Sequence, residues 1–81
     1  MRVEVLLFGP QAAIAGDRRV SLDVPLPASL GGVRGALAAA CPGLAPTLPA
    51  SRLSVNRRFA PDSTEVLPGD EIALIGMVSG G

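Results

Sequence analysis

Hydrophobic and polar residues alternate at the start of the chain. Successive side chains of a β-strand point to opposite faces, so the alternation over Arg2–Phe8 predicts a strand with one buried face. Stricter alternation over Arg19–Leu26 predicts a second strand. Pro25 cannot donate a hydrogen bond to a neighbouring strand, so the end of this strand is expected at a sheet edge or at a bulge. The residues predicted to face the core are Val3, Val5, Leu7, Val20, Leu22, Val24 and Leu26.

The spacing of apolar residues becomes helical after the second strand. Leu30, Val33 and Leu37 recur at intervals of three or four residues and predict one apolar stripe along a helix. Ser29 is a suitable N-cap, because its hydroxyl can accept a hydrogen bond from a free amide of the first turn. The dipeptide Pro42-Gly43 predicts the end of the helix.

The remaining segments are short and contain turn-forming residues. Gly9–Asp17 has room for a turn or a short helix, and Ala45–Ser51 predicts a proline-rich loop. Leu53–Phe59 predicts a strand that turns or bulges around Asn56. Asp62–Leu67 predicts a turn or a short helical piece, and Pro68-Gly69-Asp70 predicts a tight turn. Glu71–Ile75 predicts the final strand.

The order of these elements predicts an α+β fold with a mixed sheet of four or five strands. One helix packed across such a sheet forms an α+β roll. If the first and last strands pair in parallel at the centre, the roll is the ubiquitin-like β-grasp. This pairing is inferred from fold analogy and from the apolar character of both strands. We predict a β-grasp domain over residues 1–75 and a flexible C-terminal tail over residues 76–81.

Composition excludes several classes of function. The chain has 81 residues, of which 48% are hydrophobic, so it can form one small domain with an aliphatic core. Seven basic residues balance seven acidic ones, so nothing favours binding to nucleic acid or to an anionic membrane. A membrane-spanning helix would need about 20 apolar residues in a row, and no segment of the sequence approaches this length. One cysteine cannot form an internal disulfide, which is typical of proteins in the cytoplasm.

The residue types present also disfavour a free-standing enzyme. The chain has no His and no Lys, so it lacks the commonest general base and metal ligand and the residue that forms Schiff bases. Cys41 has no visible partner base and is interpreted as a small hydrophobic residue near the end of the helix. The run GGVRG at residues 31–35 lacks the spacing and the lysine of a phosphate-binding loop, and close packing on the sheet explains it better. We therefore predict no metal site and no bound cofactor.

The small residues of the tail suit a different kind of chemistry. A carboxylate is a poor electrophile, and attaching the α-phosphate of ATP to it supplies a good leaving group. Glycine leaves no side chain to obstruct the narrow channel through which an activating enzyme reaches that carboxyl group. A sulfur nucleophile can then displace AMP and leave a thiocarboxylate. Gly80-Gly81 therefore indicates a carrier that reacts through the carboxyl group of Gly81, and an accidental flexible end is the alternative.

Several motifs resemble the small subunit of molybdopterin synthase, a ubiquitin-like sulfur carrier. They are RVEVLLFG at residues 2–9, the helix ending at CPGL, Val55-Asn56, PGDEIALI at residues 68–75 and VSGG at residues 78–81. The resemblance covers the whole chain and is most specific over Pro68–Gly81. The family commonly has two prolines where this chain has Gly76 and Met77, so we expect a looser tail, which leaves the choice of partner open.

The resemblance implies a function and its partners. In this family a ubiquitin-activating-type enzyme uses ATP to adenylate the terminal glycine. The glycine becomes a thiocarboxylate and, inside a large catalytic subunit, donates sulfur to a pterin precursor of the molybdenum cofactor. By this resemblance Gly81 would carry the sulfur and Gly80 would accompany it in the channel. The tail residues expected to contact the partner are Met77, Val78 and Ser79.

Other functions stay open on this evidence. A carrier of the same chemistry could serve thiazole, cysteine or another sulfur pathway. A ubiquitin-like protein modifier would use the same activated carboxyl group. A β-grasp module that only binds a partner belongs to a different class, because it would have no use for the carboxyl group of Gly81.

The alternation also predicts where partners dock. Period-2 spacing places Phe8 opposite the buried face of the first strand and Ile75 opposite the buried face of the last. If these strands are neighbours, Phe8 and Ile75 lie side by side, and Phe59 completes an exposed apolar cluster. Such clusters on small proteins mark interfaces, and the resembling family has apolar residues at these positions. The alternative is that both Phe residues belong to the core.

Overall fold

The computed structural model of the protein describes residues 1–76, which form five strands, two α-helices and one 3₁₀ segment. In chain order the elements are β1 (Arg2–Leu6), α1 (Gly9–Ala15), β2 (Arg19–Asp23), α2 (Leu30–Ala40), the 3₁₀ segment (Pro42–Ala50), β3 (Ser51–Val55), β4 (Arg58–Phe59) and β5 (Ile72–Gly76). Within this part of the chain, no helix has the length and apolar character that a membrane span requires.

The five strands form one mixed sheet in the order β2-β1-β5-β3-β4. β5 lies at the centre, parallel to β1 and antiparallel to β3. In this register Val5 lies opposite Ile72, and Leu53 lies opposite Leu74. The first and last strands therefore pair in parallel in the middle of the sheet, and the predicted β-grasp fold is confirmed.

Helix α2 covers one face of this sheet. Its predicted stripe of Leu30, Val33 and Leu37 is completely buried. The three side chains belong to one hydrophobic cluster with Val5 and Leu74 of the two central strands. Burying an aliphatic side chain of this size contributes about 1.5–3 kcal/mol, so contacts between α2 and the sheet are a main source of stability.

Capping residues fix both ends of α2. The Gly32 amide donates a hydrogen bond to Ser29 Oγ at 3.1 Å, which confirms Ser29 as the N-cap. The helix ends at Ala40, and Cys41 forms its C-cap immediately before Pro42. A residue that precedes proline is disfavoured in the helical conformation, which explains why the helix stops there.

The first strand is shorter than the alternation predicts, because α1 follows it at once. β1 ends at Leu6 rather than at Phe8, and Phe8 is already the N-cap of α1. Pro10 lies in the first turn of this helix, where its missing amide proton is not needed. The stretch Gly9–Asp17, predicted as a turn or a short helix, is therefore helical over most of its length.

The second strand also ends early. β2 stops at Asp23, and Leu26, predicted to face the core, is 72% exposed. Pro25 and Pro27 flank Leu26 and have no amide proton to donate to a neighbouring strand. The chain therefore leaves the sheet before Leu26 can turn inward. β2 lies at a sheet edge, which is one of the two positions expected from Pro25.

The proline-rich loop predicted over Ala45–Ser51 is a series of 3₁₀ turns instead, and it begins three residues earlier. Pro46 and Pro49 lie inside it, where the fixed φ of proline suits a tight helical turn. Leu44 and Leu48 are buried in the core and anchor the segment. The prediction of a loop is wrong because prolines also fit 3₁₀ turns, and burial of the two leucines stabilises these turns.

β3 and β4 form a hairpin with a two-residue turn at Asn56-Arg57, which confirms the predicted turn. The turn residues have positive φ values of 52° and 71°. The Asn56 side chain also binds the next turn: the Glu71 amide donates to Oδ1 at 3.0 Å, and Nδ2 donates to Asp70 Oδ1 at 3.1 Å. These bonds hold the hairpin beside the start of β5.

The described segment between β4 and β5 contains turns and no helix. Asp62–Leu67, predicted as a turn or a short helical piece, forms a turn and a single bridge between Glu65 and Ser29. The tight turn predicted at Pro68-Gly69-Asp70 is present, and Gly69 has a φ of 88°. A side chain is strained at that φ, which explains why glycine occupies this position.

The last strand is displaced by one residue from its predicted position. β5 covers Ile72–Gly76 rather than Glu71–Ile75, and Gly76 lies opposite Ser51 of β3. The sequence pattern assigned Gly76 to the tail because glycine has no apolar side chain to continue the alternation. The remainder of the predicted tail, residues 77–81, lies outside the described residues.

Candidate functional site

The structure describes the surface from which the predicted tail departs, and not the tail itself. Gly76 ends β5, the central strand of the sheet. The candidate site is therefore built from the open face of the sheet and from the groove beside Gly76. Five residues predicted to act in the tail lie outside the described part of the chain: Met77, Val78, Ser79, Gly80 and Gly81.

A row of side chains crosses the open face of the sheet, on the side opposite α2. Leu6 of β1 lies opposite Ala73 of β5. Ala73 in turn lies opposite Ser54 of β3, which lies opposite Phe59 of β4. Residues opposite each other in adjacent strands project from the same face, so these side chains form a continuous row across four strands.

Phe8 and Ile75 extend this row toward the end of β5. Together with Leu6, Phe59 and Ala73 they line a surface depression of about 440 Å³, which we call the apolar patch. Phe8 is 53% exposed and Phe59 is 49% exposed, so neither belongs to the core. The predicted placement of Phe8, Phe59 and Ile75 together on the exposed face is confirmed, and their role in binding a partner stays a prediction.

Charged side chains border the apolar patch. The guanidinium carbon of Arg52 lies 4.5 Å from the centroid of the Phe59 ring, where the electrons of the ring face attract a cation. Arg57 lies elsewhere on the border, with its Nε 3.6 Å from Glu71 Oε1. The patch thus offers a partner an apolar centre surrounded by groups that can form ion pairs.

A second depression, of about 360 Å³, lies where β5 ends, and we call it the exit groove. Phe8 and Ile75 line both depressions, so the exit groove adjoins the apolar patch. Pro10 of α1 and Ala50 of the 3₁₀ segment form further parts of its wall. Gly76, the last residue that the structure describes, is also part of this wall.

Gln11 of α1 contributes a polar group to the exit groove and is only 5% exposed. Its Nε2 donates hydrogen bonds to Ser51 Oγ at 2.7 Å and to Thr47 Oγ1 at 3.0 Å. Its Oε1 is buried and has no hydrogen-bond partner among residues 1–76.

Gly76 packs directly against this oxygen. A Cβ atom placed on Gly76 would lie 3.0 Å from Gln11 Oε1 and 3.3 Å from the carboxamide carbon. Both distances are shorter than an ordinary contact of about 3.5–4.0 Å, so a side chain here would require the carboxamide of Gln11 to shift by a few tenths of an ångström. This contact gives a physical reason why glycine occupies position 76, where the resembling family commonly has proline.

Packing accounts for two other candidates from the sequence. Cys41 is half-buried at the end of α2 and packs against the core, as interpreted. In the GGVRG run, a Cβ on Gly32 would lie 3.4 Å from Val24, whereas Gly35 faces open space, so close packing explains only part of this run. Within residues 1–76, no group of three or more His, Cys, Asp or Glu side chains could hold a metal ion.

Sequence reasoning identified neither Gln11 nor the exit groove. The hydroxyl groups that bind Gln11 belong to Thr47 and Ser51, which are 36 and 40 residues away along the chain. No local pattern connects such distant residues. The one available signal was a lone amide side chain in the otherwise apolar run PQAAIA, where the helix packs against the 3₁₀ segment.

Comparison with known proteins places this geometry in context. The ThiS family profile matches residues 5–81. The crystal structure of SAMP1 from Haloferax volcanii is 31% identical, covers 100% of both chains and has a TM-score of 0.87. A chain in the complex of subunits 1 and 2 of molybdopterin-converting factor from Helicobacter pylori 26695 is 26% identical, covers 100% of both chains and has a TM-score of 0.70.

One further structure agrees in fold alone. A putative molybdopterin converting factor subunit 1 from Pyrococcus furiosus is 16% identical, with a TM-score of 0.84 over 95% of this chain and 98% of that one. No curated protein matches the sequence at a significant level. The solved structures therefore agree on the β-grasp fold while their names point to more than one biological role.

Proposed function

The chain belongs to the ThiS family, and from this we propose that it is a ubiquitin-like sulfur carrier that reacts through the carboxyl group of Gly81. The observation that carries the proposal is the position of the apolar patch beside the end of β5. A partner that docks on the patch also receives the residues after Gly76, and five extended residues reach about 17 Å. A domain with little room for an internal active site can then deliver a reactive group into the active site of a partner.

The proposed chemistry has two steps, both on partner enzymes. In the first step a carboxylate oxygen of Gly81 attacks the α-phosphorus of ATP, a phosphorus–oxygen bond forms and pyrophosphate leaves. In the second step hydrosulfide attacks the carbonyl carbon, a carbon–sulfur bond forms, the carbon–oxygen bond to AMP breaks and one proton is released. The product is a thiocarboxylate. A ubiquitin-activating-type adenylating enzyme uses the ATP in this scheme, and the carrier itself binds no cofactor.

For the pathway we propose molybdopterin synthesis, with this chain as the small subunit beside a large catalytic subunit of molybdopterin synthase. The similarity to a chain in the complex of subunits 1 and 2 from Helicobacter pylori supports this choice. The thiocarboxylate would donate its sulfur to the pterin precursor inside the large subunit. We place the carrier in the cytoplasm, because its single cysteine cannot form an internal disulfide and cytoplasmic proteins rarely contain disulfides.

A protein modifier is the second candidate. It is favoured by the 31% identity, over the complete length of both chains, to SAMP1, a small archaeal modifier protein. A modifier would form the same adenylate, but a lysine amine of a target protein would then attack the carbonyl carbon in place of sulfur. Sulfur carriers of other pathways share the proposed chemistry, whereas a module that only binds a partner would not use Gly81.

Mass spectrometry of the protein isolated from its own cells tests the proposal. We expect an adenylate at Gly81, or replacement of one oxygen of its carboxyl group by sulfur. An isopeptide-linked target would identify a modifier instead. Loss of molybdoenzyme activity in cells that lack the chain would identify the molybdopterin pathway, and intact activity would point to another sulfur pathway.

A variant that lacks Gly81 is the matched control. ATP-dependent activation by the adenylating enzyme should be abolished, because the reacting carboxyl group is displaced by one residue. The melting temperature should stay nearly unchanged, because the core and the sheet of residues 1–76 are intact. Full activation of this variant would refute the carrier proposal.

A further inference from the structure

The hydrogen bonds around Gln11 determine which way its carboxamide points. The Thr47 hydroxyl donates to the Leu44 carbonyl at 2.7 Å, and the Ser51 hydroxyl donates to the Thr47 carbonyl at 2.7 Å. Each hydroxyl has only one proton, so toward Gln11 both can only accept. With both hydroxyl protons donated in this way, Nε2 faces the two hydroxyls and Oε1 faces Gly76.

Arg34 holds the segment that carries these hydroxyls. Its Nη1 donates to the carbonyl oxygens of Leu48 at 2.7 Å and Ser51 at 3.2 Å. Its Nε and Nη2 bind the two carboxylate oxygens of Asp62 at 3.3 and 3.1 Å. The end of the 3₁₀ segment and the start of β3 are thus fixed to α2. The position of Gln11 Oε1 is set by this framework rather than by free rotation of its side chain.

We infer that Gln11 is a positioning residue for the proposed carrier: its carboxamide selects glycine at position 76 and sets the direction in which the chain leaves β5. The inference rests on the proposed function, in which a partner docks on the apolar patch and receives the segment that begins after Gly76. Phe8, at the N-terminus of the helix that carries Gln11, lines both the patch and the exit groove. The residue that contacts Gly76 and a residue of the proposed docking surface therefore lie within one turn of each other at the start of α1.

A change at position 76 alters the point from which the following segment begins, relative to the apolar patch. In the proposed carrier a partner docks on this patch, so a shift of Gly76 changes where the reacting segment enters the partner. Misplacing a reacting group by about 1 Å can slow a reaction about 100-fold. Gln11 should therefore affect the rate of adenylation, measured as kcat, more than docking on the patch, measured through KM.

A double-mutant cycle between positions 11 and 76 tests the inference in ATP–pyrophosphate exchange, catalysed by the adenylating enzyme of the source organism. Gly76→Ala places a Cβ against Oε1, and we expect kcat to fall roughly tenfold while KM for the carrier changes by less than about twofold. In a Gln11→Ala background the carboxamide is gone. The same change at position 76 should then lower kcat by less than about twofold, so the two effects are not additive.

Val24→Ala is the control for a general loss of stability. Val24 is buried near the start of β1, at the opposite end of the sheet from Gly76, and its truncation should leave kcat unchanged. Equal losses of kcat from Gly76→Ala with and without Gln11 would overturn the inference. So would an effect confined to KM, because that would place the contact in the docking surface.

The inference also has a test that needs no enzyme. We expect the backbone order parameter of the Gly76 amide, measured by ¹⁵N relaxation, to fall in Gln11→Ala from about 0.85 toward about 0.6. If the wild-type carrier supports no ATP–pyrophosphate exchange, the proposed function fails. The order parameter of Gly76 then decides by itself whether Gln11 positions this residue. A fall confined to Gly76 and its neighbours would support positioning by Gln11, and an unchanged value would overturn it.

Discussion

Phe8 and Phe59 are the only aromatic residues of the chain, and both lie outside the core. Phe8 follows β1 on the face opposite α2, and Phe59 ends a two-residue strand at the edge of the sheet. Arg52 lies over the ring of Phe59 and helps to hold it in place. Aromatic side chains supply much of the binding energy of protein interfaces, so these two residues are the best candidates for contact with a partner.

Replacement of Phe8 or Phe59 by Ala should weaken partner binding by about 1–3 kcal/mol. The loss of folding stability should be smaller than the roughly 3–5 kcal/mol that follows when a buried aromatic site is emptied. Titration calorimetry with the adenylating enzyme measures the first effect, and denaturant unfolding measures the second. Leu67→Ala, which removes an equally exposed side chain (53%) outside the patch, should leave binding unchanged.

The interpretation fails if both Phe variants unfold the domain and the folded fraction that remains binds normally. The two aromatic side chains would then serve the fold alone.

At the scale of residues, the sequence predicts those side-chain positions that depend on residues nearby in the chain. The alternation of Val3, Val5 and Leu7 is enough to place Phe8 on the opposite face. It gave no indication of Gln11, because the hydroxyls that orient its amide come from distant residues of the 3₁₀ segment and β3. A buried amide of this kind becomes visible only when three separate parts of the chain are brought together.

The β3–β4 hairpin shows what a single element requires of its sequence. A two-residue turn with positive φ at both positions favours glycine, or asparagine at the first of them. Asn56 meets this requirement and also binds the following turn, whereas Arg57 takes a φ of 71° with a full side chain. The Arg57–Glu71 ion pair is a weak compensation, because the Arg57 side chain is 89% exposed to solvent.

Arg57→Gly should therefore raise the free energy of unfolding by about 0.5–1 kcal/mol, because glycine adopts positive φ without strain. Urea denaturation measures the change. Arg58→Gly is the control, since Arg58 is the next residue along the chain and lies in β4 rather than in the turn. Glycine there should lower stability, because it weakens a strand. A loss of stability in both variants would show that the turn conformation carries no strain.

The types of most elements are predictable from the sequence, and their ends are less so. Strand and helix periodicity came from side chains that pack in the core, so β1, β2 and α2 were found where the pattern placed them. The ends depend on backbone hydrogen bonds, which apolar alternation does not report. Leu26 was misplaced for this reason, and the 3₁₀ segment was missed because its prolines masked two buried leucines.

At the scale of the whole molecule, one aliphatic cluster connects α2 to both central strands. Leu37 lies in the C-terminal half of α2 and is completely buried. Truncation of so large a side chain would leave a cavity in the core. The order of elements was sufficient to propose the β-grasp. The parallel pairing of β1 with β5 rested on analogy, because residue spacing does not specify which strands become neighbours.

Leu37→Ala should lower the free energy of unfolding by about 2–5 kcal/mol, through lost burial and the cavity that remains. This is a large part of the roughly 5–15 kcal/mol that stabilises a typical domain. Leu26→Ala removes the same atoms from a side chain that is 72% exposed and should change stability by less than about 0.5 kcal/mol. Chemical denaturation compares the two variants, and equal effects would contradict the assigned core.

The central position of β5 determines when the protein can fold as it emerges from the ribosome. The strand in the middle of the sheet is the last of the five to be synthesised, so β1 and β3 each keep an unpaired edge until Ile72–Gly76 arrives between them. A nascent chain arrested at Gly69 should remain sensitive to protease, and one in which Gly76 has left the tunnel should become resistant. Until then the apolar stripe of α2 is accessible to chaperones, and the growing chain is more exposed to aggregation than the finished domain.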